Sequence, residues 1–361
     1  MKCLFFLGHP AHFHLFKNII KKLEEHGDET LVLIKSKDIL EELCLNEGIN
    51  FRNIYKKQRR NSTLGIIISF LFKYIGISKN IRKFRPEILI GSEPTLAHLG
   101  KLFGIPSFVF SEDDTHIIPQ FAKIAYPFVT EIISPISCDA GKWNYKKTAY
   151  DGFHKLTYLH PSQFQPNENV IDSLPKDYFI IRTTNLSAYH DTDKRGISED
   201  ILEKLIEILV PHGKVFITSE KPISDKFHKY RLKINPNHIH TVLSGAKIYI
   251  GDSQSMAVES ALLGTPGIRF NDFANQIGVL NELETKYGLT RGIVANEQEK
   301  LYRAVREMLE IKDLKMHHRE KLNSLLKDKI NACDFFVWYI QNYPQSKKIH
   351  AEQPQFQYTF Q

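Results

Sequence analysis

Three histidines lie close together near the start of the chain, in the segment Gly8-His-Pro-Ala-His-Phe-His14. A free imidazole titrates at about pH 6.5, which suits a group that takes a proton from a hydroxyl. His12 is therefore a candidate general base. The alternative role for each imidazole is to cap or pack a helix.

A second group of candidate residues is the acidic segment Ser111-Glu-Asp-Asp-Thr-His116. One of Glu112, Asp113 or Asp114 is a candidate general base for a hydroxyl, with Glu112 and Asp113 preferred, or could instead orient His12. The alternative is an acidic helix start, because the helix dipole favours carboxylates at that end.

A third polar segment, Arg182-Thr-Thr-Asn-Leu-Ser-Ala-Tyr-His-Asp191, follows a predicted strand. Arg182 can form charge-assisted hydrogen bonds to a phosphate group, and neighbouring polar side chains can add to them. The supporting candidates are Thr183, Asn185 and His190. The alternative is that Arg182 pairs with a carboxylate at the edge of a sheet.

The fourth segment, Ile250-Gly-Asp-Ser-Gln-Ser-Met-Ala-Val-Glu259, places a polar loop between a strand and a helix. Free amides at a helix start, with the hydroxyls of Ser253 and Ser255, form a favourable site for phosphate. Glu259 lies four residues after Ser255, on the same helix face, where its carboxylate can accept two hydrogen bonds from vicinal hydroxyls. The alternative is an ordinary capped helix with a solvated glutamate.

These segments require a scaffold that places loops at the ends of strands. Short apolar runs alternate with amphipathic segments along the chain, which predicts parallel sheets covered by helices on both faces. We therefore predict an α/β protein with two doubly wound, Rossmann-like domains that face each other across a cleft. The predicted divisions are a first domain over 1–160, a second domain over 161–330, a helix over 331–345 that packs back across the junction, and a disordered tail over 346–361.

Composition excludes several classes of protein. The chain has 361 residues, of which 42% are hydrophobic and 25% charged, so disorder and fibrous structure are excluded. Its 4 cysteines are widely spaced and match no zinc-ligand pattern. We therefore expect no metal site and a reducing, cytoplasmic environment.

Positive charge is concentrated between positions 52 and 85, where the chain has ten Lys and Arg and no acidic residue. The same block contains an almost wholly apolar segment over 64–77, within a predicted helix over 63–85 that has basic flanks. Such a helix can lie on an anionic membrane, which would place the protein at the inner face of the plasma membrane, or it can be buried. The block lacks the motifs of a nucleic-acid site, so no nucleic-acid partner is expected.

The segment GDSQSMAVESALLGTPGIRF resembles the donor-nucleotide signature of GT-B-type sugar-nucleotide enzymes, which include UDP-N-acetylglucosamine transferases and non-hydrolysing 2-epimerases. The resemblance implies that Ser253, Gln254, Ser255 and Met256 face phosphate. It also implies that Glu259 holds the ribose. The second domain, over 161–330, would then be a nucleotide-sugar domain, and the first, over 1–160, an acceptor domain.

Over about residues 1–340 the chain resembles the family of domain of unknown function 354, grouped with GT-B folds. The resemblance implies a metal-independent glycosyltransferase in surface polysaccharide synthesis, with a UDP-sugar as substrate, a glycan or lipid-linked acceptor, and no cofactor. One alternative is an epimerase, although the carboxylates of that family's motif are missing from the segment Arg269-Phe-Asn-Asp-Phe-Ala-Asn-Gln276. The other alternative is a non-catalytic nucleotide-sugar binder.

Overall fold

The computed structural model describes residues 1–35, 39–55, 63–184, 195–220 and 222–361. These residues form two compact units. Unit 1 comprises Met1–Tyr158 together with Lys329–Gln361, and unit 2 comprises Leu159–Asp328. The chain therefore leaves unit 1, completes unit 2, and returns to finish unit 1.

The strands and helices alternate along most of the chain. The strands are Lys2–Leu7 (β1), Glu29–Lys35 (β2), Phe51–Tyr55 (β3), Ile88–Gly91 (β4), Ser107–Phe110 (β5), Glu131–Pro135 (β6), Lys147–Tyr150 (β7), Tyr178–Thr183 (β8), Lys214–Ser219 (β9), Ile248–Gly251 (β10), Gly267–Phe270 (β11) and Thr290–Ile293 (β12). The helices are Pro10–Glu25 (α1), Leu40–Asn46 (α2), Thr63–Phe84 (α3), Pro94–Phe103 (α4), Pro119–Ala125 (α5), Leu156–Leu159 (α6), Glu168–Asp172 (α7), Glu199–Leu209 (α8), Ile239–Gly245 (α9), Gln254–Leu262 (α10), Gly278–Thr285 (α11), Gln298–Glu310 (α12), Leu314–Asp328 (α13), Ala332–Gln341 (α14) and Gln345–Glu352 (α15).

Unit 1 is built on a parallel sheet whose strand order, among the described residues, is β3-β2-β1-β4-β5-β6-β7. Its central strands are buried on both faces, which explains their continuous apolar sequences. Since crossovers between parallel strands are right-handed, α1 and α2 cover one face of the sheet and α3, α4 and α5 cover the other. Among neighbouring helices, α1 packs on α2, α3 on α4, and α4 on α5.

Unit 2 is built on a smaller parallel sheet, with the order β12-β11-β10-β8-β9 among the described residues. Its core contains apolar residues from all five strands and from the helices α8 and α12. The helix α8 starts at the cap Ser198, whose side chain accepts a hydrogen bond from the Ile201 amide. Both units therefore have the doubly wound α/β architecture that the sequence predicts.

The C-terminal segment differs from the sequence-based prediction. The tail predicted to be disordered forms α15 and a 3-10 helix over Pro354–Phe360. Gln357 is buried, and its side chain accepts a hydrogen bond of 2.7 Å from the Asp151 amide. Phe356 and Phe360 lie against Trp338 with ring centroids 4.9 and 5.5 Å away. Regularly spaced aromatic side chains therefore order a segment whose glutamine content suggested disorder.

The apolar segment predicted to be helical over 64–77 lies within α3. The part of the basic block over 56–62 lies outside the described residues. Across the described ranges, we find no helix with the length and apolar character needed to cross a bilayer.

Candidate functional site

The strand order of unit 2 reverses between β8 and β10, and in sheets of this kind ligands bind beyond the carboxyl ends of the strands at such a reversal. Thr184 follows β8 and Asp252 follows β10. The Asp252 carboxylate accepts hydrogen bonds from the amide and the hydroxyl of Thr184, at 2.7 and 2.9 Å. This carboxylate therefore joins the two segments that meet at the reversal.

Asp252 is almost fully buried, with 3% of its surface exposed. Its second carboxylate oxygen accepts a hydrogen bond from the Ile197 amide at 3.2 Å. Burial raises the pKa of Asp252 to about 6, although the hydrogen bonds from Thr184 and Ile197 oppose that shift. Asp252 is not among the site residues predicted from the sequence, because nothing in its sequence neighbours indicates burial.

The turn after β10 has the helix start that the sequence predicts. Ser253 caps α10, and its hydroxyl accepts a hydrogen bond from the Met256 amide at 3.3 Å. Gln254 is half-buried, Ser255 is exposed and Met256 is buried. Gly251 precedes the turn because a Cβ there would lie 2.3 Å from the Tyr249 hydroxyl.

Glu259 lies one turn into α10, and its carboxylate is only 12% exposed. Its Oε1 atom lies 3.3 Å from Nε2 of His240, a buried side chain at the start of α9. The ring of Phe164 contacts His240 edge-on, with centroids 6.3 Å apart. The carboxylate therefore has a defined orientation. His240 was missed by sequence reasoning, because it is distant in sequence from Glu259 and belongs to no recognisable motif.

The predicted residues at the end of β8 and after it are only partly described. Arg182 forms an ion pair with Glu220, which corresponds to the alternative role considered for it. The Thr183 hydroxyl donates to Ser219 at 2.8 Å, within the sheet. Asn185 and His190 lie outside the described residues.

In unit 1, His12 lies in the first turn of α1, and its Nδ1 atom accepts a hydrogen bond from the Gly8 amide at 3.2 Å. His9 accepts in the same way from the Ala11 amide at 3.1 Å. An imidazole that accepts at Nδ1 carries its proton on Nε2 when neutral. In this arrangement His12 presents a donor, rather than a base, at Nε2.

Glu112 lies in a buried polar cluster. Its carboxylate pairs with the Lys155 ammonium and accepts a hydrogen bond from the His154 amide at 2.7 Å. Burial alone would raise the pKa of Glu112, but the Lys155 charge and the bond from His154 outweigh it and lower the pKa. A carboxylate held in its charged form by these partners is a weak proton acceptor. Asp113, the next residue, is half-buried.

A further carboxylate lies at the reversal of strand order in unit 1, between β1 and β4. Glu93 follows β4, and its Oε1 lies 2.9 Å from the position that a Cβ on Gly8 would occupy. Its Oε2 accepts from the buried Lys73 ammonium at 2.8 Å. Glu93 was also missed by sequence reasoning, because a lone Ser-Glu-Pro segment resembles an ordinary helix start.

A metal site is absent from the described portion of the chain, where no three His, Cys, Asp or Glu side chains are grouped closely enough to hold an ion. The short sequence Asp191-Thr-Asp193 lies outside that portion.

Two doubly wound parallel sheets, each with polar segments at its reversal of strand order, define a two-domain α/β protein of the GT-B type. Within that class, the chain belongs to the family described as protein of unknown function DUF354, whose model matches residues 3–323. The resemblance noted in the sequence is thereby confirmed.

Comparisons with known proteins agree with this fold. The chain is 24% identical over 281 residues to the uncharacterized protein MJ0665 of Methanocaldococcus jannaschii, covering 73% of this chain and 79% of that protein. A putative UDP-N-acetylglucosamine 2-epimerase from Listeria monocytogenes has a TM-score of 0.69 at 14% identity, covering 95% of this chain and 96% of its own. The spinosyn rhamnosyltransferase SpnG, complexed with spinosyn aglycone, has a TM-score of 0.59 at 13% identity, covering 95% and 100%. These likenesses show the fold, which transferases and epimerases share.

Proposed function

We propose that the protein is a glycosyltransferase that moves a sugar from a nucleotide-diphosphate-sugar donor to a glycan or lipid-linked acceptor in surface polysaccharide synthesis. Unit 2 binds the donor, most simply a UDP-sugar, and unit 1 binds the acceptor. The structural neighbours that carry UDP or a sugar acceptor support the general class of sugar-nucleotide enzyme.

One observation supports the donor site above all others. The Glu259 carboxylate, oriented by His240, lies one turn into a helix that begins directly after β10, at the reversal of strand order in unit 2. The helix start suits a diphosphate, because its amides donate and its dipole favours negative charge. A carboxylate one turn away suits the two ribose hydroxyls, which donate to it.

The acceptor hydroxyl must lose a proton during transfer. Glu112 is held in its charged form by Lys155, which makes it a weak proton acceptor. We propose Asp113, a half-buried carboxylate of the same acidic segment, as the base. His12, with its Nε2 proton, acts instead as a hydrogen-bond donor to an oxygen of the substrate.

An epimerase is the second candidate, because several neighbours of the same fold are UDP-N-acetylglucosamine 2-epimerases. The segment after β11 argues against it. The Asn271 side chain donates to the Asp252 carbonyl at 2.8 Å, and the Asp272 carboxylate accepts from the Arg195 amide at 2.9 Å. Both side chains are hydrogen-bonded within unit 2, where they support the loop. The carboxylate of Asp272 is therefore engaged in a structural contact.

The first experiment is a thermal-shift screen of the full chain against nucleotides and nucleotide sugars. A ligand at a hundredfold its dissociation constant stabilises the folded state by about 2.7 kcal/mol, which is readily measured. We expect Glu259→Ala to abolish the shift and Glu310→Ala, an exposed residue at the end of α12, to leave it unchanged. If no nucleotide raises the melting temperature of the wild type, the proposed assignment of the donor site is wrong.

A turnover assay then separates the two enzyme classes. A transferase needs an acceptor and shows only slow donor hydrolysis without one, whereas an epimerase converts the donor alone. Epimerised product in the absence of acceptor would overturn the proposed transfer. Binding without turnover in either assay would favour the non-catalytic alternative.

A further inference from the structure

Unit 1 carries an exposed apolar surface on the helices α3 and α4 and on α5 with the turn that follows it. Its large side chains, between 44% and 74% exposed, are Leu71, Phe72, Ile75, Leu102, Ile124 and Phe128. Only the part of this surface on α3 is evident from the sequence. We call this set of six residues the apolar face.

The apolar face is continuous. A groove of about 780 Å³ between α3 and α4 is lined by Ile75 and Leu102, among others. A second groove, of about 480 Å³, lies between α4 and α5 and is lined by Leu102, Ile124 and Phe128. Since Leu102 lines both grooves, it joins Ile75 to Ile124 and Phe128 in one surface. Leu71 and Phe72 lie one turn before Ile75 on α3 and extend that surface.

Contacts centred on His98 hold the three helices together beneath this surface. The His98 ring stacks on Tyr74 of α3, with centroids 5.9 Å apart. Its Nε2 atom lies 2.8 Å from the Ile124 carbonyl, and its ring contacts Phe128 at 4.7 Å. These contacts therefore fix the relative positions of the helices that carry the apolar face.

The charge around the apolar face has one sign. The exposed cations on the same helices are Lys79, Arg82, Lys83, Lys101 and Lys123. The sequences of α3, α4 and α5 contain no aspartate or glutamate. An apolar surface on helices whose charged side chains are all cations is complementary to an anionic, amphipathic partner.

We propose that the apolar face docks unit 1 on an anionic lipid bilayer, with its leucine, isoleucine and phenylalanine side chains in the headgroup region and the surrounding cations on lipid phosphates. Exposed apolar surface of this kind marks an interaction site in a soluble protein. A second copy of the chain is a poor occupant, because a two-fold contact through this face would place its cations opposite one another. The proposal does not depend on the transferase activity.

The test is flotation of the full chain with vesicles of 30% phosphatidylglycerol in phosphatidylcholine, compared with phosphatidylcholine alone. We expect binding to the anionic vesicles that falls as salt is raised, since each cation near the surface contributes about fivefold to partitioning. No nucleotide or acceptor is present, so this result and that of the activity assays are separate.

Matched variants locate the contact. Leu102→Glu, at a residue 74% exposed, should reduce vesicle binding at least about tenfold. Leu45→Glu is the control, because Leu45 is 69% exposed but lies on α2, across the sheet from the apolar face. Both positions are exposed, so both variants should have the melting temperature of the wild type. Ile124→Glu, at another residue of the apolar face, should also reduce vesicle binding.

Three outcomes would overturn the proposal. The first is equal binding by Leu102→Glu and Leu45→Glu, and the second is equal binding to anionic and neutral vesicles. The third is a wild-type dimer, detected by sedimentation, that Leu102→Glu dissociates, because it would assign the face to a second copy.

Discussion

The buried carboxylate Asp252 makes the stability of unit 2 depend on pH in an unusual direction. Its pKa is raised from 3.8 to about 6 by burial. A carboxyl whose pKa is higher in the folded state binds its proton more tightly there, so it stabilises the fold at low pH. That contribution is complete below pH 3.8 and is lost as the pH rises through 6.

The size of the effect follows from the shift. At 1.36 kcal/mol per pKa unit, the rise from 3.8 to about 6 corresponds to about 3 kcal/mol over the whole titration. Between pH 4.5 and pH 8, the accessible part is about 2 kcal/mol. In Asp252→Asn the side chain is neutral throughout, so the stability difference between variant and wild type isolates this one titration. We expect the variant to gain about 2 kcal/mol relative to the wild type on going from pH 4.5 to pH 8.

The assay must report on unit 2 alone. Both tryptophans, Trp143 and Trp338, belong to unit 1, so tryptophan fluorescence would follow the wrong unit. Native-state hydrogen exchange of peptides covering β8 and β10 measures the opening free energy of unit 2 directly. A difference between variant and wild type that is constant with pH would refute the reasoning. A change of the opposite sign would show that the hydrogen bonds to the carboxylate outweigh its burial.

Three other predictions test the sites directly. Glu112→Gln leaves the Lys155 ammonium buried without its partner charge, so we expect unfolding to become easier by about 3 kcal/mol in denaturant titrations of unit 1, followed by tryptophan fluorescence; an unchanged midpoint would contradict this pairing. His240→Gln should weaken nucleotide binding by about tenfold in calorimetry, because the Glu259 carboxylate loses the group that orients it, and equal affinities would remove His240 from the site. Chelation with EDTA should leave sugar transfer unchanged, and a loss of activity that Mg²⁺ restores would show that a metal is required.

The fold was predictable because its signals are local. The apolar run of β1 and the amphipathic stripe of α1 are each visible within a short window of sequence. Parallel strands then follow from the alternation of such segments. That the C-terminal tail is ordered could not be predicted from local sequence. Phe356 and Phe360 are held by Trp338, a side chain of another helix.

The candidate site was predictable only where chemistry and sequence spacing coincide. Ser253 and Glu259 lie on one helix, so their relative positions follow from its period. His240 and Glu93 are brought to their sites by strand order, which no spacing reveals. Glu112 was identified, but its pairing with Lys155, 43 residues away, could not be read from the sequence.

The return of the chain to unit 1 has a consequence for synthesis on the ribosome. Phe336 of α14 contacts Phe110 of β5 at 5.0 Å and Tyr150 at 4.8 Å, so it completes the core of unit 1. Between Tyr158 and Lys329, the ribosome makes all of unit 2, about 170 residues. At about 5–20 residues per second, that takes about 10 to 30 s. During this interval the nascent first unit exposes the aromatic surface that α14 will cover, so unit 2, although later in sequence, can finish folding first.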